Sequence, residues 1–147
     1  MKKMMMAALI LMSAAGVAFA QEEQKTTVHV ATQQNEKVAE IKFDTLTHDF
    51  GTFSADDPVV KCVFHFTNAG TAPLIIHQAI ASCGCTVPTY TKDPIQPGES
   101  GQIEVTYNGK GKFPGKFKKM ITVRSNAKDT GIVRLSVEGT MTESEQQ

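Results

Sequence analysis

Val60-Lys61-Cys62-Val63-Phe64-His65-Phe66-Thr67 is the stretch that decides the fold. Val60, Cys62, Phe64 and Phe66 alternate with Lys61, Val63, His65 and Thr67, so one face of an extended segment is apolar and the other mixed. Successive side chains on a strand point to opposite faces, and this period of two is the mark of a half-buried β-strand. The run ends in Asn68-Ala69-Gly70-Thr71-Ala72-Pro73, a cluster of turn-forming residues.

Working outward, the same pattern recurs. Leu74, Ile76 and Ile80 share a parity and predict a second strand leading to Cys83. Pro94 and Pro97-Gly98-Glu99 punctuate the next connection, and Ile103, Val105 and Tyr107 then alternate with Glu104 and Thr106. Beyond the glycine-rich Asn108-Gly109-Lys110-Gly111-Lys112, the positions Phe117, Ile121 and Val123 share a face with Lys119, which must snorkel or mark a bulge. Val133, Leu135 and Val137 form another alternating run after the turn from Asn126 to Gly131. With Ile41 and Phe43, and a short piece around Phe50 and Phe53, the count is about seven strands, and no window beyond the first twenty residues sustains a helical period. Short strands joined by Gly, Pro and Asn turns over about one hundred residues predict an all-β, immunoglobulin-like antiparallel β-sandwich. The chain has no Trp, so its core rests on Phe, Ile, Leu and Val.

The chain of 147 residues, with 15 basic and 15 acidic side chains, leaves room for one ordinary domain and excludes a large multidomain enzyme. Residues 1–20 carry Lys2 and Lys3, an apolar stretch from Met4 to Met12, and Ala18-Phe19-Ala20 before Gln21, the three parts of a secretory signal peptide. The apolar run is shorter than the ~20 residues of a spanning helix. Removing this leader leaves a net charge of −2, which excludes a strongly cationic nucleic-acid binder and leaves no stable membrane span. Residues 21–38 read as a polar tether, with Val28, Val30 and Val38 leaving room for one added strand; residues 39–140 form the domain and 141–147 a polar tail. The expected location is exported, periplasmic or secreted, and oxidising.

Phe64-His65-Phe66-Thr67-Asn68-Ala69-Gly70, Pro73-Leu74-Ile75-Ile76, Ser82-Cys83-Gly84-Cys85-Thr86, Pro97-Gly98-Glu99 and Ser125-Asn126, with Thr47-His48-Asp49-Phe50-Gly51 upstream, resemble the bacterial family of unknown function numbered 1573. The resemblance covers about residues 41–140. It implies an immunoglobulin-like fold similar to Hydin-type and major-sperm-protein domains, which tend to act as interaction modules, and it implies no established activity.

Chemistry centres on the three cysteines at 62, 83 and 85. In one reading Cys62 pairs across the sandwich with Cys83 or Cys85, a staple closing a loop of about twenty residues and contributing on the order of 3 kcal/mol. In a second, Cys83 and Cys85 form a redox pair, with Gly84 permitting the tight backbone. In a third they bind copper(I) or zinc with His77, His48 or Cys62 completing the shell, because thiolates select soft ions. One-residue spacing lacks the paired CxxC pattern of structural zinc sites, and past the leader only Met120 and Met141 remain to cradle copper.

Other apparent motifs lack their context. Asp49-Phe50-Gly51 has no kinase glycine-rich loop or catalytic loop around it, and Gly98-Glu99-Ser100-Gly101 has the wrong spacing for a nucleophile elbow. Lys110 to Lys119 holds five lysines without the order of a phosphate-binding loop, and reads as a solvated hairpin whose charges guard an edge strand. No acid, base and nucleophile fall at a diagnostic spacing, so the chain reads as a non-enzymatic module that binds a protein partner, without nucleic acid or cofactor. A periplasmic metal-binding or thiol-redox protein acting through Cys83 and Cys85 is the alternative.

Overall fold

The computed structural model describes residues 36–144. The expected leader, most of the expected tether and the last three residues lie outside them. Eight strands run in order: β1 (Ile41–Phe43), β2 (Thr47–Ser54), β3 (Val59–Asn68), β4 (Ile76–Ala81), β5 (Thr86–Tyr90), β6 (Ser100–Asn108), β7 (Gly115–Ser125) and β8 (Ile132–Thr142). They form two four-stranded sheets, ordered β1-β3-β6-β5 and β2-β8-β7-β4. The described chain is all-β, an immunoglobulin-like sandwich.

The deciding stretch is the spine of the first sheet. β3 and β6 pair without interruption from Val59↔Asn108 to Thr67↔Ser100. Cys62, Phe64 and Phe66 point inward and are buried, with Val105, Ile103 and Gly101 opposite them. A side chain at Gly101 would collide with the ring of Phe66, so glycine there makes room for that buried ring. Ile121, Val123, Leu135 and Val137 face them from the second sheet, and Leu74, Ile76 and Ile95 close the core.

The structure departs from the sequence expectations at definable places. β2 runs parallel to β8, so the second sheet is mixed rather than purely antiparallel. Parallel neighbours require a long connection, and here five strands intervene between the two. The pair is broken by an extra residue in β2 between Asp49 and Thr52, where Gly51 takes a positive φ of 68° and donates its N–H to Asp49 Oδ1 at 2.8 Å.

Sequence parity places Ile80 on the inward face with Leu74 and Ile76; in the structure it is exposed. The β4–β7 register shifts between Ile76 and Gln78, and that bulge hands the inward positions to Ala79 and Ala81. Lys119 sits on the inward parity without a bulge, since β7–β8 pairing is continuous from Gly115↔Met141 to Arg124↔Ile132. β7 is an inner strand, but β4 covers only its second half, so the lysine-bearing half is an edge on one side. β5 is a strand the periodicity did not reveal. Met141, expected to open the polar tail, lies in β8 and is only 2% exposed.

Candidate functional site

Antiparallel strands alternate between residues that bond the neighbour and residues that turn their backbone groups away. Ser82 donates its N–H to the Met120 carbonyl at 2.8 Å, and Met120 returns a bond to Ser82 Oγ at 3.2 Å. Counting back along β4, Ile80 and Gln78 therefore face β7, while Ala79 and Ala81 direct N–H and C=O to the sheet edge. Ile80 (49% exposed), opposite Thr122, and Met120 (44%), diagonal to it and level with Ser82, share the outer face near that edge.

The edge of the other sheet is built differently. Cys85 accepts a bond from Asn108 N–H at 2.8 Å and Thr91 donates to Gln102 at 3.2 Å, so the odd-numbered residues of β5 bond β6. Pro88 therefore falls on an outward position, where its missing N–H costs no ladder bond and blunts the edge. Tyr90 Oη bridges the two edges by donating to the His77 carbonyl at 3.0 Å.

Between β4 and β5 the chain crosses from one sheet to the other through Cys83-Gly84-Cys85. A disulfide joins Cys83 and Cys85 across a Cα separation of 5.3 Å, and both residues are half-buried. The Cys83 carbonyl accepts the Thr86 N–H at 3.2 Å, closing the turn. The Thr86 side chain is buried, and its Oγ1 lies 3.6 Å from Cys83 Sγ and 3.9 Å from Cys85 Sγ. Disulfide sulfurs carry no proton, so the hydroxyl is the donor, and its single proton serves one sulfur at a time, Cys83 Sγ being the nearer.

Cys62 is free and buried. It pairs with Val105, whose other neighbour is Pro88, while Cys85 lies level with Asn108. Two strand spacings and three residue rows put about 14 Å between the Cα atoms of Cys62 and Cys85, twice what a disulfide tolerates. The cross-sandwich staple is therefore absent from this structure. Burial pushes the Cys62 thiol up from 9.0 to about 11, which makes it a poor nucleophile near neutrality.

Among the described residues no three His, Cys, Asp or Glu side chains are grouped to hold a metal ion. His77 is exposed on β4, His48 packs edge-on against Phe50 with ring centres 4.9 Å apart, and His65 is exposed opposite Gln102. An open groove of about 540 Å³ along β2, β8 and β7 is lined by Asp49, Lys116, Lys118 and Glu138, with Lys118 paired to Glu138 at 2.9 Å. It offers an ion-paired surface open to solvent. Sequence reasoning missed Thr86 and the β4 edge; the first had a signal in its place directly after the cysteine pair, the second only in the bulge.

A family profile described as protein of unknown function (DUF1573) matches residues 41–141, a span that includes the crossover and all of both sheets but the last residue of β8. The chain belongs to the DUF1573 family. No curated protein matches it. Among solved structures, a protein of unknown function from Porphyromonas gingivalis W83 superimposes with a TM-score of 0.61 at 16% identity, covering 71% of this chain and 47% of that one. This chain thus spans about half the length of that protein. The ASH/PapD-like domain 7 of human CEP192 gives 0.58 at 11% identity, over 74% of this chain and 89% of that domain. The secreted serine protease VesC from Vibrio cholerae gives 0.52 at 14%, over 69% of this chain and only 23% of the protease. These likenesses show an immunoglobulin-like sandwich fold and transfer no activity. No helix among the described residues is long and apolar enough to cross a membrane.

Proposed function

We propose that this DUF1573 protein is an exported, non-catalytic interaction module that takes an extended segment of a partner protein along the open edge of β4. The observation that carries this reading is the unpaired ladder of Ala79 and Ala81 beside the exposed Ile80 and Met120. Strand addition needs both parts: backbone groups for affinity and an apolar side-chain row for selectivity. Other edges are protected, β5 by Pro88, β2 by its bulge at Gly51 and the uncovered half of β7 by Lys116, Lys118 and Lys119, as proteins protect edges against pairing. The leader at residues 1–20 supports export, and a disulfide at Cys83 and Cys85 suits an oxidising compartment.

A photo-crosslinking side chain at position 80 of the full chain, expressed in an exporting bacterium, tests the reading. Discrete adducts are expected, and they should vanish with Ala81→Pro, which removes an outward N–H while sparing the bonds to β7. Absence of adducts, or equal adducts from position 87 on the blunted β5 edge, overturns it. N-terminal sequencing of the exported fraction should start at Gln21; a chain retaining Met1 in the cytosol would end the export reading.

A further inference from the structure

The β4–β5 crossover contains a chemical group that strand addition does not use. We propose that Cys83 and Cys85 form a thiol–disulfide exchange site that takes two electrons from a dithiol of an exported polypeptide, with the Thr86 hydroxyl placed to hold the thiolate released.

Four features lead to this assignment. The first is the small structural return of the bond. A disulfide stabilises by restricting the unfolded chain, more so for longer loops, and this one spans a separation of two residues. The turn it encloses is already closed by the Thr86 N–H bond to the Cys83 carbonyl and anchored by Asn108 on Cys85. Second, both cysteines are half-buried and thus open to attack, whereas the third thiol, Cys62, is buried, distant and raised to about 11.

Third, Thr86 buries a hydroxyl whose hydrogen-bond contacts among the described residues are the two sulfurs alone. A neutral disulfide is a weak acceptor and a thiolate a strong one, so this donor favours the reduced, ionised pair. Fourth, the loop from Gly109 to Pro114 begins one residue beyond Asn108 and carries the chain from β6 to β7 in the other sheet instead of forming the expected hairpin, so Lys110 and Lys112 border the same end of the sandwich and favour an arriving thiolate.

The step balances without a further reagent. A thiolate of the dithiol attacks Cys85 Sγ; the Cys83–Cys85 bond breaks, and Cys83, the sulfur nearer Thr86 Oγ1, leaves as the thiolate. The second thiol of the dithiol then displaces Cys85 from the mixed disulfide. The substrate ends as a disulfide, having given two electrons and two protons, and Cys83 and Cys85 end as thiols. This assignment does not rest on the β4 edge, because small thiols probe it directly.

The test is equilibration of the oxidised full chain with reduced and oxidised glutathione, followed by alkylation and peptide mass mapping, with melting recorded for both redox forms. Reversible reduction within the glutathione range is expected, with a glutathionyl adduct on Cys85, Cys62 unmodified, and a melting temperature changed by less than about 3 °C. Thr86→Val, nearly the same shape, should shift the equilibrium about fivefold toward the disulfide. A pair that stays oxidised in millimolar reduced glutathione, a melting temperature that falls by more than about 10 °C on reduction, an adduct on Cys62, or an equilibrium unmoved by Thr86→Val would each overturn it. Loss of crosslinking at position 80 would leave these outcomes untouched.

Discussion

Asn68 is fully buried, and its side-chain amide is spent on three separate segments. Nδ2 donates to the carbonyls of Ala72 at 2.8 Å and Ile95 at 2.9 Å, while Oδ1 accepts from Gly70 N–H at 2.9 Å and Glu40 N–H at 3.4 Å. The sequence shows this residue as the first of a turn cluster, which it is, but the bonds to Glu40 and Ile95 span 28 and 27 residues and leave no local trace. Asn68→Ala strips partners from buried backbone groups and should cost about 3 kcal/mol in urea unfolding with an unchanged slope; a loss under about 0.5 kcal/mol would refute the bracing role. Cys62 supplies a second prediction. Burial raises its thiol, so the unfolded chain ionises first: its contribution is whole below pH 9, and it is lost as pH rises through about 11. Burial moves Tyr107 in the same direction. The urea midpoint should therefore fall across that window, and Cys62→Ala, though less stable overall, should fall less steeply; parallel profiles would exclude the thiol.

At the scale of elements, legibility followed the regularity of the ladder. β3, β6 and β8 read correctly because each keeps its register, so parity in sequence is parity in space. β4 misread because one bulged residue after Ile76 exchanges the faces, sending Ile80 outward and Ala79 inward, and alanine is too small to announce a core position. β5 escaped because Pro88 argues against a strand unless the strand is an edge, and edge status belongs to the assembled sheet. That same residue makes a testable protection. Pro88→Thr restores an outward N–H on a strand whose neighbour Val87 is exposed, giving β5 an open ladder of its own. The variant should keep its melting temperature within about 4 °C, yet self-associate in sedimentation at concentrations where the parent is monodisperse. A monodisperse variant would show that something other than proline protects this edge.

For the whole molecule, the least local feature is the pairing of β2 with β8, which joins residues 89 apart, such as Thr47 and Ser136. The class of fold was readable from period and turns alone, because any sandwich buries alternate residues. Which strand closes the second sheet was not, since closure depends on where β2 lands after leaving β1 through a connection of only three residues. Met141 shows the consequence. Followed by Thr142, Glu143, Ser144 and Glu145, it reads as the start of a polar tail, yet it pairs with Phe53 and Gly115 and lays its sulfur over Gly109. Thr142 completes the closure by pairing with Ser54 and accepting the Ala55 N–H at 3.0 Å. A chain ending at Thr142 should therefore melt with the full chain. One ending at Thr140 loses a buried side chain of the kind worth about 3 kcal/mol, together with two rungs of the parallel pair. Its melting temperature should fall by about 15 °C for a domain of this size, with the shift showing first as lost amide protection along Thr52 to Ser54, and equal melting of the two truncations would place the end of the domain before Met141.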